Sequence, residues 1–124
     1  MNYLIVFLGA GLGGALRHGV NAVSARTDVF DFPYSTLSVN VIGSLLMGLA
    51  AGFFALKGQA SYEVRLFLTT GLLGGFTTFS AFSLETILLY ERGRLESAIG
   101  YALISVIGSV LALTVGLAIM RRLL

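Results

Sequence analysis

The 124-residue sequence has no cysteine, which excludes disulfides, thiolate chemistry and most zinc sites. A single histidine, His18, leaves little to hold a transition metal. Charge is scarce too: Asp, Glu, Lys and Arg together make up 11% of the chain, and there is one proline. Hydrophobic residues make up 56% and the mean hydropathy is +0.92, far from a soluble domain of this length. The composition is that of an all-α integral membrane protein, with nothing that calls for a nucleic-acid partner.

Charge-free runs cover residues 3–16, 34–56, 66–84 and 97–120. A helix needs roughly 20 apolar residues to cross the hydrocarbon core, so four transmembrane helices are expected at roughly 3–25, 34–57, 63–91 and 95–122. They make one transmembrane domain over residues 1–124, joined by short charged connectors at 26–33, 57–63 and 91–96. Val23-Ser24-Ala25 loosely resembles a leader cleavage site, but no basic segment precedes the first apolar run and Arg17 interrupts it. The first run is therefore read as a span.

Four spans divide the basic residues into a tie. Lys57, Arg65, Arg121 and Arg122 fall on the side of the N-terminus, and Arg17, Arg26, Arg92 and Arg94 on the other. The positive-inside rule then sets no orientation, which points to a dual-topology protein whose copies pair antiparallel as a homodimer. A single, weakly biased orientation is the alternative.

The polar residues inside the spans are not scattered. Thr36, Asn40 and Ser44 are four apart on the second helix, and Tyr101, Ser105 and Ser109 repeat that spacing on the fourth. Either stripe can serve as helix-to-helix glue, and serines can bond their own helix carbonyls. Two stripes facing a third polar helix favour a polar path.

That third helix carries the densest signal. Residues 71–86, GLLGGFTTFSAFSLET, hold a Gly-Gly pair, five hydroxyl side chains and three phenylalanines. As a continuous helix, 65–90 would be about 39 Å long, with Gly74-Gly75 near mid-bilayer. Paired glycines permit a close helix crossing; they also permit a break, whose freed carbonyls suit a hard cation such as Na+. Phe79 and Phe82 share a face interleaved with Thr77, Thr78, Ser80 and Ser83. Core packing is the ordinary role of such rings. Their positive edges, set beside hydroxyl and amide donors, also suit a small anion that a buried Lys or Arg would hold too tightly to conduct. Glu85 is the one acid well inside a span, where a central charge costs roughly 2.5 to 3.5 kcal/mol.

The run from Gly74 to Glu85, GGFTTFSAFSLE, with STLSVN at 35–40, closely resembles the Fluc (CrcB) family of bacterial fluoride channels, and the resemblance covers essentially the whole chain. It implies a passive fluoride-selective channel, not an enzyme, that exports cytoplasmic fluoride across the bacterial inner membrane. It further implies an antiparallel dual-topology homodimer in lipid, with two pores and a structural Na+ where the broken helices cross. Carried over, Phe79 and Phe82 are ring-edge ligands and Asn40 a pore donor to fluoride. Tyr101, Ser105 and Ser109 form a polar track with Thr36 nearby, and Ser80, Ser83 and Glu85 lie toward one pore entrance. Gly74 and Thr77 give carbonyls to Na+, and Arg17 matches the family's first-helix arginine, in a vestibule. The chain departs from the pattern at His18, where an aromatic is common, and at Ser35, where a glycine often stands. The strongest rival is a proton-coupled exporter of the small multidrug resistance type, whose essential acid lies in the first helix; here no acid precedes Asp28.

Overall fold

A computed structural model describes residues 1–27, 32–58 and 60–124. The described residues are helical throughout, apart from short connections, and contain no strand. The helices are α1 (Asn2–Thr27), α2 (Tyr34–Lys57), α3 (Tyr62–Leu66), a π-helical segment (Phe67–Leu73), α4 (Gly74–Phe76), α5 (Phe79–Glu91) and α6 (Leu95–Leu123). α3 through α5 make one span, Tyr62–Glu91, and with α1, α2 and α6 give four segments long and apolar enough to cross a membrane. The connector expected at 26–33 falls partly, and that at 57–63 at Gln59, outside the described residues.

Local chemistry sets the ends of these helices. α2 stops at Gly58, which takes the left-handed conformation (φ 60°) open to glycine and returns its N–H to Phe54 O. Ser61 caps α3 by accepting the Val64 N–H, and Gly93 (φ 77°) turns the chain from α5 into α6.

Two tight pairings build the bundle, α1 against the π-helical segment and α4, and α2 against α6. Both depend on missing side chains. A Cβ at Gly75 would run into the Ala10 carbonyl, and one at Gly48 into the Leu113 carbonyl. Helices this close gain dispersion contacts in a medium where the hydrophobic effect gives them no drive to associate. On α6, Gly116 is buried against α2, whereas Gly100 meets nothing within 4 Å.

Few side chains are fully enclosed. Leu89, Ala98 and Tyr101 form a small core that Phe32, Leu37 and Phe82 flank, while Leu103, Ile107, Val110 and Leu111 along α6 are exposed. A single copy thus leaves most of its apolar surface to lipid or to another chain.

The glycine pair does two jobs, neither of them the break itself. Gly74 and Gly75 are helical, Gly74 at φ −64°, ψ −38°. The chain leaves the helix just after them, at Thr77 (φ −84°, ψ 158°) and Thr78 (φ −151°, ψ 126°). The interruption, expected near Gly74-Gly75 and within 74–77, therefore sits at the end of that range, at the two threonines. Gly75 serves the close crossing with α1, and Gly74 is part of the groove lining described below.

Candidate functional site

The break lies beside a groove of about 420 Å³ lined by α2 (Asn40, Ser44), the break and α5 (Gly74, Thr77, Thr78, Phe79, Phe82) and α6 (Ser105, Ser109, with Val106 and Val110). The second- and fourth-helix stripes thus converge on the interruption of the third span. The groove is open, and Phe79, Val106 and Val110 stand exposed at it, Phe79 to 77%.

Each break residue is held differently. Thr77 stays attached to its own helix: its N–H (3.1 Å) and its Oγ1 (2.9 Å) both donate to Leu73 O. Thr78 is held from α2, where its N–H donates to Asn40 Oδ1 at 2.8 Å and its carbonyl accepts from Asn40 Nδ2 at 2.9 Å. Thr78 Oγ1 in turn caps α5 by accepting the Ala81 N–H at 3.2 Å, and lies 3.3 Å from Ser80 Oγ. From sequence Thr78 reads only as one of the hydroxyls interleaved with the phenylalanines; the structure makes it a joint of the break. Its signal was a threonine three residues before Ala81, at an N-cap position directly ahead of a helical run.

These bonds account for two of the carbonyls that the break frees. In an unbroken helix Gly74 O would accept the Thr78 N–H and Thr77 O the Ala81 N–H; both donors now go elsewhere. The freed oxygens belong to residues that line the open groove. No group of three His, Cys, Asp or Glu side chains is found among the described residues.

Next to Phe82, outside the groove lining, lies a second polar cluster. The Phe82 and Tyr101 rings are 5.2 Å apart at 49°, and Phe79 stacks 5.5 Å from Phe82. Glu85 accepts the Tyr101 hydroxyl on Oε2 and the Thr36 hydroxyl on Oε1, both at 2.9 Å. Tyr101 is wholly buried and also meets the Phe32 ring edge-on at 5.5 Å. The carboxylate inside the membrane is thus matched by two hydroxyl donors, the arrangement that makes a buried acid tolerable.

Of the residues singled out from sequence, Asn40, Gly74, Thr77, Phe79, Phe82, Ser105 and Ser109 come together on the groove, and Thr36, Glu85 and Tyr101 form the adjoining cluster. Ser105 is 6% exposed, and its Oγ has no hydrogen-bond partner among the described residues. Ser83 lies outside the groove lining and turns its hydroxyl back to Phe79 O at 3.0 Å; exposed Ser80 also lies outside it. Arg17 is not part of the lining either; its Nε is buried without a partner among the described residues.

The family model for CrcB-like protein, Camphor Resistance (CrcB), matches residues 4–117. Similar curated proteins carry the name fluoride-specific ion channel FluC. One from Rhodopseudomonas palustris is 57% identical over 121 residues, covering 98% of each chain. One from Granulibacter bethesdensis is 55% identical over 124 residues, covering 100% of this chain and 98% of its own. A relative named FluC 2, from Nitrobacter hamburgensis, is 54% identical over 123 residues, covering 99% of both.

Proposed function

The chain belongs to the CrcB-like family, and we propose that it is a fluoride-specific ion channel that lets the anion leave the cytoplasm passively and electrogenically, limiting its toxicity. It is a multi-pass membrane channel, not an enzyme. The observation that carries the reading is the convergence of Asn40, Ser105, Ser109 and the Phe79 and Phe82 rings on one groove at a mid-span break. Fluoride holds its water strongly, so a narrow path must replace that shell with dense donors while keeping binding weak enough for release. Amide, hydroxyl and ring-edge groups meet both demands.

The groove is open on the side that would face hydrocarbon, where unpaired amides and hydroxyls are costly. A second copy inserted in the opposite direction removes that cost, and the even split of basic residues favours such a pair. The working unit is accordingly an antiparallel homodimer in the bacterial inner membrane, with pores lined by both subunits. A structural Na+ fits two of the freed carbonyls, Gly74 O and Thr77 O. A twofold pair doubles them to four, and hard oxygen donors are what this ion takes. Gly74 and Thr77 would hold it, fixing the two copies against each other.

Fluoride efflux from proteoliposomes tests the function. Release of fluoride on adding a potassium ionophore, with no proton gradient and no chloride release, is the expected result; strict dependence on a proton gradient would replace the channel with a coupled exporter.

A further inference from the structure

Where a membrane span is interrupted, something must hold the two halves at a fixed angle, because each freed backbone group is costly away from water. Here the N-terminal half closes on itself, since Thr77 gives both its N–H and its hydroxyl to Leu73 O. Thr78, the first residue of the other half, is held by a different helix. Asn40 exchanges two hydrogen bonds with the Thr78 main chain, 2.8 and 2.9 Å, as a neighbouring strand would. Among short side chains only a carboxamide carries acceptor and donor side by side, so Asp would lose the bond to Thr78 O and Ala would lose both.

One turn away on α2, Thr36 donates to Glu85. Thr78 and Glu85 are two helical turns apart on one face of the third span. α5 is therefore pinned to α2 at two polar points, and Tyr101 of α6 completes the second. These pins set the rotation of α5, and with it the aim of Phe79 and Phe82.

Resting on the channel reading, we propose that Asn40 is a positioning residue: it fixes the direction of α5 through the main chain of Thr78, beyond any contact of its remaining N–H with the ion. The test severs the same bond from its other end. Replacing the Thr78 amide by an ester removes the N–H while leaving the Asn40 side chain in place. Efflux per reconstituted channel would be measured for this ester, for Asn40→Ala and for the two together. A 4-fluorophenylalanine at position 82 would be followed by 19F NMR in fluoride-free buffer.

Each change alone should lower efflux about tenfold, as expected when a buried donor or acceptor is orphaned, and should shift the 19F signal. Combined, they should lose less than the product of the two single losses, the ester's remaining effect in Asn40→Ala being that of its weaker Thr77 carbonyl. An ester with full efflux beside a failing Asn40→Ala would make Asn40 an ion donor only and overturn the proposal. So would losses that multiply, or a lower folded yield with unchanged efflux per channel and an unmoved 19F signal. Should the unmodified protein carry no fluoride, the channel reading fails by itself, and the 19F signal alone then decides: shifted supports the clasp, unmoved refutes it.

Discussion

The hydroxyl of Tyr101 donates to Glu85 Oε2 at 2.9 Å, from a ring with no exposed surface. Thr36 occupies the other carboxylate oxygen, so the one acid deep in a span is matched on both sides by neutral donors from two different helices.

A double-mutant cycle between Tyr101→Phe and Glu85→Gln is expected to give a coupling of about 1 to 3 kcal/mol, the range for a hydrogen bond to a charged group. Unfolding of the purified protein in a mixed micelle measures it. A coupling near zero would mean that the two groups are held by packing instead.

Phe79→Ile and Phe82→Ile should each lower fluoride flux by about two- to tenfold, as loss of a ring-edge contact worth 0.5 to 1.5 kcal/mol implies. Because Phe79 is 77% exposed in one copy, its replacement should leave the fold of that copy unchanged. Efflux normalised to reconstituted protein separates the two effects, and unchanged flux in both variants removes the ring-edge role.

Gly75→Ala should destabilise the protein by about 1 to 3 kcal/mol, because its methyl meets the Ala10 carbonyl and backbone cannot step aside cheaply. Gly100→Ala, with nothing within 4 Å, should be neutral or slightly stabilising. Unfolding midpoints of the pair report the difference. Equal midpoints would show that the α1 crossing is not tight.

Reporter fusions at the C-terminus should give signal on both sides of the membrane, since Lys57, Arg65, Arg121 and Arg122 are balanced by Arg17, Arg26, Arg92 and Arg94. Adding two lysines to the 91–94 turn should bias the chain to one orientation and lower fluoride efflux. Signal on one side only, before any addition, would count against dual topology.

The spans were legible because long charge-free runs separate short charged connectors, and the two polar stripes because a period of four survives on a helix surface. The exact place of the break was not. Gly74-Gly75 announces permissive backbone, yet the pair stays helical, since its small size is used against α1 and toward the groove. The chain departs at Thr77 and Thr78 because Asn40, 38 residues away from Thr78, offers a main-chain partner there, a pairing no local pattern encodes. In the same way Thr36 reads as part of a path, although its hydroxyl is spent on Glu85.

The most direct test of the central claim is the reversal potential of the purified protein in a planar bilayer with unequal fluoride on the two sides and chloride making up the balance. A fluoride-specific channel should hold the reversal potential at the equilibrium potential of fluoride, unmoved by chloride or by pH; a potential that follows chloride, or a current that needs a proton gradient, would contradict it.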